Sequence, residues 1–461
     1  MLFQPLFSIV EILKNMFALK SKNIISGNKT LNGFVVIKQG KIENVFEGEW
    51  TGGEIPVTDV GESFIIPGVI DPHVHINEPG RTDWEGFDTA TRAAAAGGVT
   101  TVVDMPLNST PVTTSVQHFE AKLNAAKNHV HVNVGFWGGV VPGNELQLDE
   151  LLKSGVMGLK AFMTHSGIDD FPDSGEKELR NALHVLKQHN KPLLVHCELD
   201  MVHSGVQLLK DNPDSYAAYL KSRPNSWEDN AVKRMMDLCR ETEARVHVVH
   251  LSSIGTLPLI EKIRKDELPF TVETAQHYLF FNAEKIPDGG TEYKCAPPIR
   301  TKANNEALWV ALQEGLIDFV ASDHSPAPPE MKELATGNFN LAWGGIAGLQ
   351  FALSALWTKA AERKIPMHDV VKWLCANPAK FLKLDGVKGK IANGYDADLV
   401  VFNPDEKFVV KEKDILHRHK ATPYLGRELK GVIKQTYVGG EKIFDSGSFI
   451  HLNRGNLILQ P

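Results

Sequence analysis

Eight short apolar segments, most of them separated by helix-like stretches, constrain the fold of this chain more than any other feature. They read FIIPGVIDPHVH, VTTVVDM, HVNVGFWGG, GLKAFM, PLLVHCE, RVHVVHLSS, FTVETAQHYL and DFVASDHSP. Apolar strands that alternate with helices are typical of a parallel sheet covered by helices. Eight of them predict an α/β fold of the (β/α)8 TIM-barrel type. A doubly wound open sheet is the alternative, and the absence of a GxGxxG turn after an early strand weakens it.

Both ends of the chain have a different pattern. GFVVIKQGKIENVFEG near the N-terminus and KGKIANGYDADLVVFNP and KQTYVGGEKIF near the C-terminus alternate apolar and polar residues around Gly and Asn turns. This alternation predicts half-buried antiparallel strands. We therefore expect residues 17–66 and 384–461 to form one small β-sandwich domain together. Residues 67–383 would form the barrel, and residues 1–16 an N-terminal extension, with Met16 as an alternative initiator.

The composition narrows the class of protein and its compartment. The 461 residues suit one large domain with a smaller one, and a net charge of −7 argues against nucleic-acid or anionic-membrane partners. Glu11 and Lys14 interrupt the apolar N-terminus, which lacks the features of a signal peptide or a transmembrane helix. A peripheral amphipathic helix is the alternative there. Four widely spaced cysteines without a CxxC motif indicate a reducing compartment, so we expect a cytoplasmic protein.

Metal-binding side chains recur at the ends of the predicted strands. In a barrel, active groups come from the C-terminal ends of several strands. Histidines at i and i+2 of a strand point to the same side, so one pair can share an ion. Each residue taken alone is better explained as a core residue, a helix cap or an ion-pair partner. Their common position at one end of successive strands favours a metal centre formed by His73, His75, Lys160, His196, His250 and Asp323.

Lys160 needs a chemical explanation, because an ammonium group has no lone pair for a metal. Burial near two cations lowers a lysine pKa and favours the neutral amine, which can react with carbon dioxide to give a carbamate. The carbamate has a negative charge and two oxygens, and can bridge two ions. We therefore expect Lys160 as N6-carboxylysine. The alternative is a lysine paired with a carboxylate such as Asp323.

The predicted ligand set indicates hydrolysis of an amide or a related C–N bond. Imidazole and carboxylate ligands suit zinc, with cobalt, manganese or iron as alternatives. A water shared by two such ions becomes a hydroxide nucleophile near neutral pH. Asp323 is the predicted catalytic residue, because its carboxylate can pass a proton to the leaving nitrogen.

Seven motifs resemble the cyclic amidase branch of the amidohydrolase superfamily, which includes dihydroorotases, hydantoinases, dihydropyrimidinases and allantoinases. They are DPHVHINEPGR, GGVTTVVDMPLNSTP, GLKAFM, VHCE, VVHLSS, ASDHSP and NPAKFLKL, and the similarity covers nearly the whole chain. The resemblance implies a barrel joined to a small β domain, two metal ions, a carboxylated lysine and a homotetramer. It also implies that His73, His75, Lys160 and Asp323 hold one ion. Lys160, His196 and His250 would hold the other.

Other residues narrow the resemblance within this branch. Similar dihydroorotases have an arginine where this chain has Asn77, and a neutral amide disfavours a carboxylate-bearing substrate. Hydantoinases usually have a tyrosine where this chain has Thr164 and His165. The loops DMPLNSTP, YKCAPPIR and HKATPYLGR resemble those of allantoinases, which implies hydrolysis of the cyclic amide of allantoin to allantoate. The substrate-binding residues implied by this resemblance are Asn77, Asn108, the backbone around Ala296, and Ser325.

Two other functions remain open at the level of sequence. One is a hydantoinase or dihydropyrimidinase, which a panel of substrates would separate from an allantoinase. The other is a non-enzymatic scaffold with the same fold, which would lack metal ligands. All six ligand positions are filled here, and this disfavours the scaffold.

Overall fold

The computed structural model describes residues 16–50, 53–201 and 203–460. The predicted extension therefore lies outside the described residues, except for Met16, which begins the first strand. Within the described residues, five strands precede the barrel, and β1 pairs with β2 in antiparallel and with β4 and β5 in parallel orientation. They are β1 (Met16–Ser26), β2 (Lys29–Lys38), β3 (Lys41–Glu47), β4 (Val57–Asp59) and β5 (Phe64–Pro67).

The central strands form a closed ring of parallel neighbours. They are β6 (Val69–Val74), β7 (Val99–Asp104), β8 (Asn133–Phe136), β9 (Gly138–Gly139), β10 (Leu159–Phe162), β11 (Leu193–His196), β12 (Val246–Val248), β13 (Phe270–Ala275) and β14 (Phe319–Ala321). β6 to β8 form one sheet and β9 to β14 another, with Trp137 alone between β8 and β9. The His75 N–H donates to the His324 carbonyl at 2.8 Å and closes the ring between β14 and β6. The predicted (β/α)8 barrel is confirmed.

Helices connect the barrel strands and follow the last of them. They are α1 (Phe87–Ala96), α2 (Val116–Ala126), α3 (Leu148–Lys153), α4 (Glu176–His189), α5 (Ser204–Asp211), α6 (Tyr216–Ser222), α7 (Asn225–Thr242), α8 (Leu257–Lys265), α9 (Gln276–Phe280), α10 (Lys302–Gln313), α11 (Ala352–Glu362), α12 (Met367–Val371) and α13 (Asn377–Phe381). α4 shows why such segments are helical, because its apolar residues recur on one face and Leu179, Leu183 and Leu186 are buried. Among the described residues, no helix combines the length and apolar content needed to cross a membrane.

The two ends of the chain meet in one sheet. Four strands follow the barrel: β15 (Leu399–Val409), β16 (Glu428–Val438), β17 (Glu441–Asp445) and β18 (Ser448–Phe449). β5 pairs with β15 in antiparallel orientation, with Pro67 opposite Leu399. The sheet order is β18-β17-β16-β15-β5-β1-β2-β3. The small β domain built from both chain ends is thus confirmed, whereas its limits at residues 66 and 384 remain predictions.

The barrel interior is filled by apolar side chains below the strand ends that carry the predicted metal ligands. Ile70, Val103, Leu194 and Phe319 are buried in one cluster with Trp137. The Trp137 Nε1–H donates to a backbone carbonyl at 2.8 Å, so its polar atom is satisfied within the core. The interior is therefore a packed core, and it forms the floor on which the polar strand ends rest.

Candidate metal centre

Strands β6 and β14 bring the predicted HxH pair and the catalytic aspartate together. The Oδ1 atom of Asp323 lies 3.2 Å from Nε2 of His73 and 3.8 Å from Nε2 of His75. One ligand atom from each residue lies within 4.8 Å of the others. All three side chains are almost fully buried. These three groups, separated by about half the chain, can therefore share one cation.

Strands β11 and β12 supply a second pair of imidazoles. Nδ1 of His196 lies 3.0 Å from Nε2 of His250. The His196 ring stacks on Phe162 at a centroid distance of 4.7 Å. His250 has a φ of 40°, a conformation that is unfavourable for a side chain with a Cβ. The His250 and His73 rings are 5.4 Å apart, which places the two groups side by side.

Lys160 lies in the fourth barrel strand, fully buried among the other predicted ligands. Within the described part of the chain, its Nζ atom has no hydrogen-bond partner. Burial lowers the pKa of Lys160, although the charges of Glu273 and Asp323 act in the opposite direction. The alternative of a directly hydrogen-bonded lysine–carboxylate pair is not seen. A buried amine without a partner is costly, and it fits a nitrogen that carries a further group.

The histidines are held in the form that binds metals. Burial lowers the pKa of His73 to about 4, and it also lowers the pKa values of His75, His196 and His250. A neutral imidazole has the lone pair that a metal requires. Burial raises the pKa of Asp323 well above its ordinary value, against the charge of Lys160. The unpartnered Lys160 amine and these neutral imidazoles fit a pair of divalent ions.

A cleft of about 430 Å³ opens above these side chains. Three of the four predicted substrate-binding residues line it, namely Asn108, Ala296 and Ser325. Asn77 does not line it, because it is fully buried and its Nδ2–H donates to the Pro326 carbonyl at 3.3 Å. Asn108 has a φ of 69°, as a turn residue would, and its amide nitrogen also lies 3.4 Å from Nδ1 of His75.

A family comparison accounts for this arrangement. Residues 64–443 match the model of the amidohydrolase family. The chain belongs to the amidohydrolase family. The match spans β5 through most of β17, so it includes the barrel, the cleft and all six predicted ligands.

Curated amidohydrolase relatives align with almost the whole chain. This chain is 44% identical over 446 residues to the allantoinase of Arabidopsis thaliana, and the alignment covers 93% of this chain and 88% of that protein. It is 43% identical over 435 residues to the allantoinase of Streptomyces avermitilis, with 94% and 96% of the two chains covered. The allantoinase of Saccharomyces cerevisiae is 41% identical over 437 residues, with 92% and 94% covered.

A solved amidohydrolase structure has the same overall fold. The L-hydantoinase (dihydropyrimidinase) from Arthrobacter aurescens superposes with a TM-score of 0.92 at 27% sequence identity, covering 96% of this chain and 99% of that one. Dihydropyrimidinase from Brevibacillus agri superposes with a TM-score of 0.87 at 25% identity, covering 97% and 100%. The barrel and small β domain thus occur together in cyclic amidases.

Sequence analysis missed Glu273, a carboxylate of this amidohydrolase on the seventh barrel strand. Its Oε1 atom lies 2.5 Å from Nδ1 of His73, and its Oε2 atom lies 3.1 Å from Nε2 of His247. A ligand histidine usually donates its second N–H to such a carboxylate, which fixes its tautomer. The available signal was a glutamate in the apolar segment FTVETA. His247, in the motif VVHLSS, contacts Glu273 and does not line the cleft.

A second missed carboxylate, Glu198, orients His196, the predicted ligand on the fifth strand. Its Oε2 atom lies 2.8 Å from Nε2 of His196, which leaves Nδ1 of that ring directed towards His250. Arg223 forms a bidentate ion pair with Glu198. Burial would raise the pKa of Glu198, but the charge of Arg223 and the hydrogen bond with His196 lower it to about 2. The HxE spacing in VHCE was the available signal.

Proposed function

We propose that this amidohydrolase opens the ring amide of allantoin with water and gives allantoate. The observation that carries the proposal is the complete ligand set beneath a cleft of about 430 Å³, in a chain whose curated relatives are allantoinases along almost their whole length. A ring-opening hydrolysis needs a nucleophile, a polarised carbonyl and a proton carrier. The buried groups of the cleft floor are suited to all three.

The six ligand residues would hold two divalent ions, with zinc as the first candidate. His73, His75, Lys160 and Asp323 would hold one, and Lys160, His196 and His250 the other. Such ions, when bound, acidify a shared water and polarise the carbonyl under attack. Glu273 and Glu198 keep the Nε2 of His73 and the Nδ1 of His196 directed towards the site.

Asp323 would carry the proton during ring opening. Its carboxylate accepts a proton from the attacking water as the new C–O bond forms. It then returns that proton to the ring nitrogen as the C–N bond breaks. A positioned carboxylate can act first as the general base and then as the general acid in this way.

Lys160 would be present as a carbamate. Its neutral Nζ attacks carbon dioxide, one N–C bond forms, and the nitrogen loses one proton, so the product has a single negative charge. The absence of a hydrogen-bond partner for Nζ in the described chain supports this modification. Native mass spectrometry of freshly purified protein should show an added carbon dioxide that is lost after acid treatment.

The ring of the substrate would rest between the metal centre and one cleft wall. Asn108, Ser325 and the backbone at Ala296 line the cleft and would hydrogen-bond the ring, as the resemblance implies. Asn77 lies beneath this surface, and its proposed contribution is to hold the loop after β6 through its bond to Pro326. The substrate contacts themselves are part of the proposal.

The proposed assembly is a homotetramer and the proposed compartment is the cytoplasm. The described chain contains four buried, unpaired thiols, and these suit a reducing compartment. Light scattering coupled to size-exclusion chromatography measures the assembly, and imaging of the tagged full-length chain measures the compartment.

A substrate panel tests the function. Metal-loaded protein should open allantoin with a higher kcat/KM than hydantoin, 5-substituted hydantoins or dihydrouracil. A reversed order would favour a hydantoinase or dihydropyrimidinase, the second candidate, which the close superposition on L-hydantoinase supports. Turnover of none of these compounds by a metal-loaded sample would overturn both assignments.

A further inference from the structure

The cleft contains two basic side chains that the proposed ring chemistry does not use. Among the described residues that line it, Arg223 and Lys294 are the lysine or arginine side chains other than Lys160. Allantoin differs from a plain hydantoin by a neutral ureido group, which has one carbonyl oxygen and three N–H donors. We propose that Arg223 and Lys294 form the subsite for this ureido group and donate hydrogen bonds to its carbonyl oxygen. This inference rests on the proposed function.

Arg223 has donors to spare. Its Nε and Nη2 atoms are used by Glu198. No hydrogen bond joins its Nη1 atom to any residue in the described ranges, and the guanidinium packs over Trp227 at 5.5 Å from the ring centroid. The bidentate pair fixes the plane of the guanidinium, so the unused Nη1 edge is oriented before substrate arrives.

Lys294 occupies a second wall of the cleft. Its Nζ donates to the Ala342 carbonyl at 2.5 Å and lies 5.4 Å from the centroid of Tyr219. An ammonium has three donors, so two are left for a ligand. Burial, together with the charge of Arg223, lowers the pKa of Lys294 to about 7. Both the charged and the neutral form keep N–H groups that can reach a carbonyl oxygen.

A buried lysine holds this wall in place. We call residues 340–345 the cleft loop, since Asn340 and the four residues after it line the cleft. Lys332 Nζ donates to the carbonyls of Trp343 at 3.0 Å and Gly345 at 2.8 Å, within the loop, and to that of Lys294 at 3.1 Å. Three acceptors match its three donors. The wall is thus tied together before binding, which reduces the entropic cost of holding a ligand.

The chemistry of the subsite suits a urea group. A carbonyl oxygen in a buried cleft requires donors, and those from cations form stronger hydrogen bonds than neutral ones. Asn340 also lines the cleft, and its side-chain oxygen is an acceptor for a urea N–H group. A hydantoin without the ureido arm would leave both cations without a ligand contact. The subsite would therefore select among hydantoins by the substituent at the ring carbon.

Lys294→Met is the variant that tests the subsite, because Lys294 has no contact with Glu198 or the ligand histidines. The KM for allantoin should rise about 10- to 100-fold, the loss expected for a charged hydrogen bond. The inhibition constant of unsubstituted hydantoin, measured as a competitor of allantoin hydrolysis, should change by less than about twofold. Lys221→Met, a change of an exposed lysine outside the cleft, is the matched control and should alter neither constant.

The outcomes separate the subsite from the proposed function. If the wild-type protein binds hydantoin but does not open allantoin, both the proposed function and the proposed subsite are overturned. A functional wild type with an unchanged allantoin KM in Lys294→Met would overturn the subsite alone. So would an equal weakening of allantoin and hydantoin, since it would show that Lys294 only supports the wall. If Lys294→Met does not fold, Lys294→Gln gives the same comparison, and thermal melting identifies a folded sample.

Discussion

The Nδ1 atom of His73 lies 2.5 Å from the Oε1 atom of Glu273, which is 200 residues further along the chain. This bond joins the first and seventh strands and leaves Nε2 of His73 directed towards Asp323, 3.2 Å away. Glu273 is also bonded to His247, whose other ring nitrogen lies 2.8 Å from Thr271. The orientation of a proposed metal ligand is therefore set by a chain of three groups, the buried Glu273 and His247 and the half-buried Thr271.

Glu273→Gln should weaken metal binding. Glutamine keeps the volume but removes the negative charge that holds the Nδ1–H tautomer of His73. Changes in such supporting residues typically cost about 10- to 100-fold in metal affinity. Elemental analysis after dialysis against graded chelator concentrations measures this loss. Glu314→Gln, on an exposed position at the end of α10, is the control and should retain the wild-type metal content. Equal metal retention in both variants would contradict the supporting role.

Asp323→Asn should abolish detectable turnover of allantoin without unfolding the protein. The amide cannot accept and return a proton, and loss of such a group typically lowers kcat by about 10²- to 10⁴-fold. Steady-state kinetics gives the rate, and the thermal melting temperature shows whether the fold is retained. Asp385→Asn, at an exposed position, should keep the wild-type rate. Retained turnover in Asp323→Asn would exclude this aspartate as the proton carrier.

Lys160→Gln should lower the number of bound ions and remove the carbon dioxide adduct. Glutamine cannot form a carbamate. The variant therefore lacks the two-oxygen group that would bridge the two metal ions. Elemental analysis should show that the number of bound ions per chain falls from about two, as a two-metal site needs, to about one or less. A variant that keeps the wild-type metal content would show that Lys160 does not bridge the ions.

Lys388→Met should destabilise the protein through a buried ion pair near the small β domain. Lys388 Nζ lies 2.5 Å from Asp398 and 2.8 Å from Asp396. Removing one member of a buried pair typically costs about 3–5 kcal/mol, because the remaining charge loses its partner. Urea unfolding at neutral pH measures the difference. Lys390→Met, two residues further on and exposed, should change the free energy of unfolding by less than about 0.5 kcal/mol.

The effect of Lys388→Met should depend on pH. Burial would raise the pKa of Asp396, but hydrogen bonds from Lys388 and Lys41 hold it below its ordinary value. A lowered carboxyl pKa stabilises the fold above the unfolded pKa of about 3.9, and this contribution is lost as pH falls through the folded pKa. The difference in free energy of unfolding between wild type and Lys388→Met should therefore narrow below about pH 4. A difference that stays constant as the pH falls well below about 4 would contradict the proposed pairing.

The sequence alone determined the barrel and the set of residues that meet at its mouth. Parallel strands have their C-terminal ends on one rim, so polar residues at those ends must converge there even when they lie as far apart as His73 and Asp323. The order of strands and helices was enough to predict this, because each strand also has its own apolar pattern. The shared alternation of apolar and polar residues was enough to place the two chain ends in one small β domain. It did not fix the residues at which that domain begins and ends.

Tertiary structure decided what surrounds these residues. The contacts of Glu273 with His73 and of Arg223 with Glu198 depend on which side chains face each other across separate segments, and periodicity within one segment carries no such information. Glu198 itself follows His196 by two residues, so its spacing was visible in the sequence. Asn77 follows the HxH motif but is turned beneath the cleft, since its φ of 66° and its bond to Pro326 direct it inward. The cleft loop has no regular pattern, and its position is set by Lys332, which joins two carbonyls of the loop to the carbonyl of Lys294. Contacts of this kind arise only when the packed fold brings distant groups within hydrogen-bonding distance.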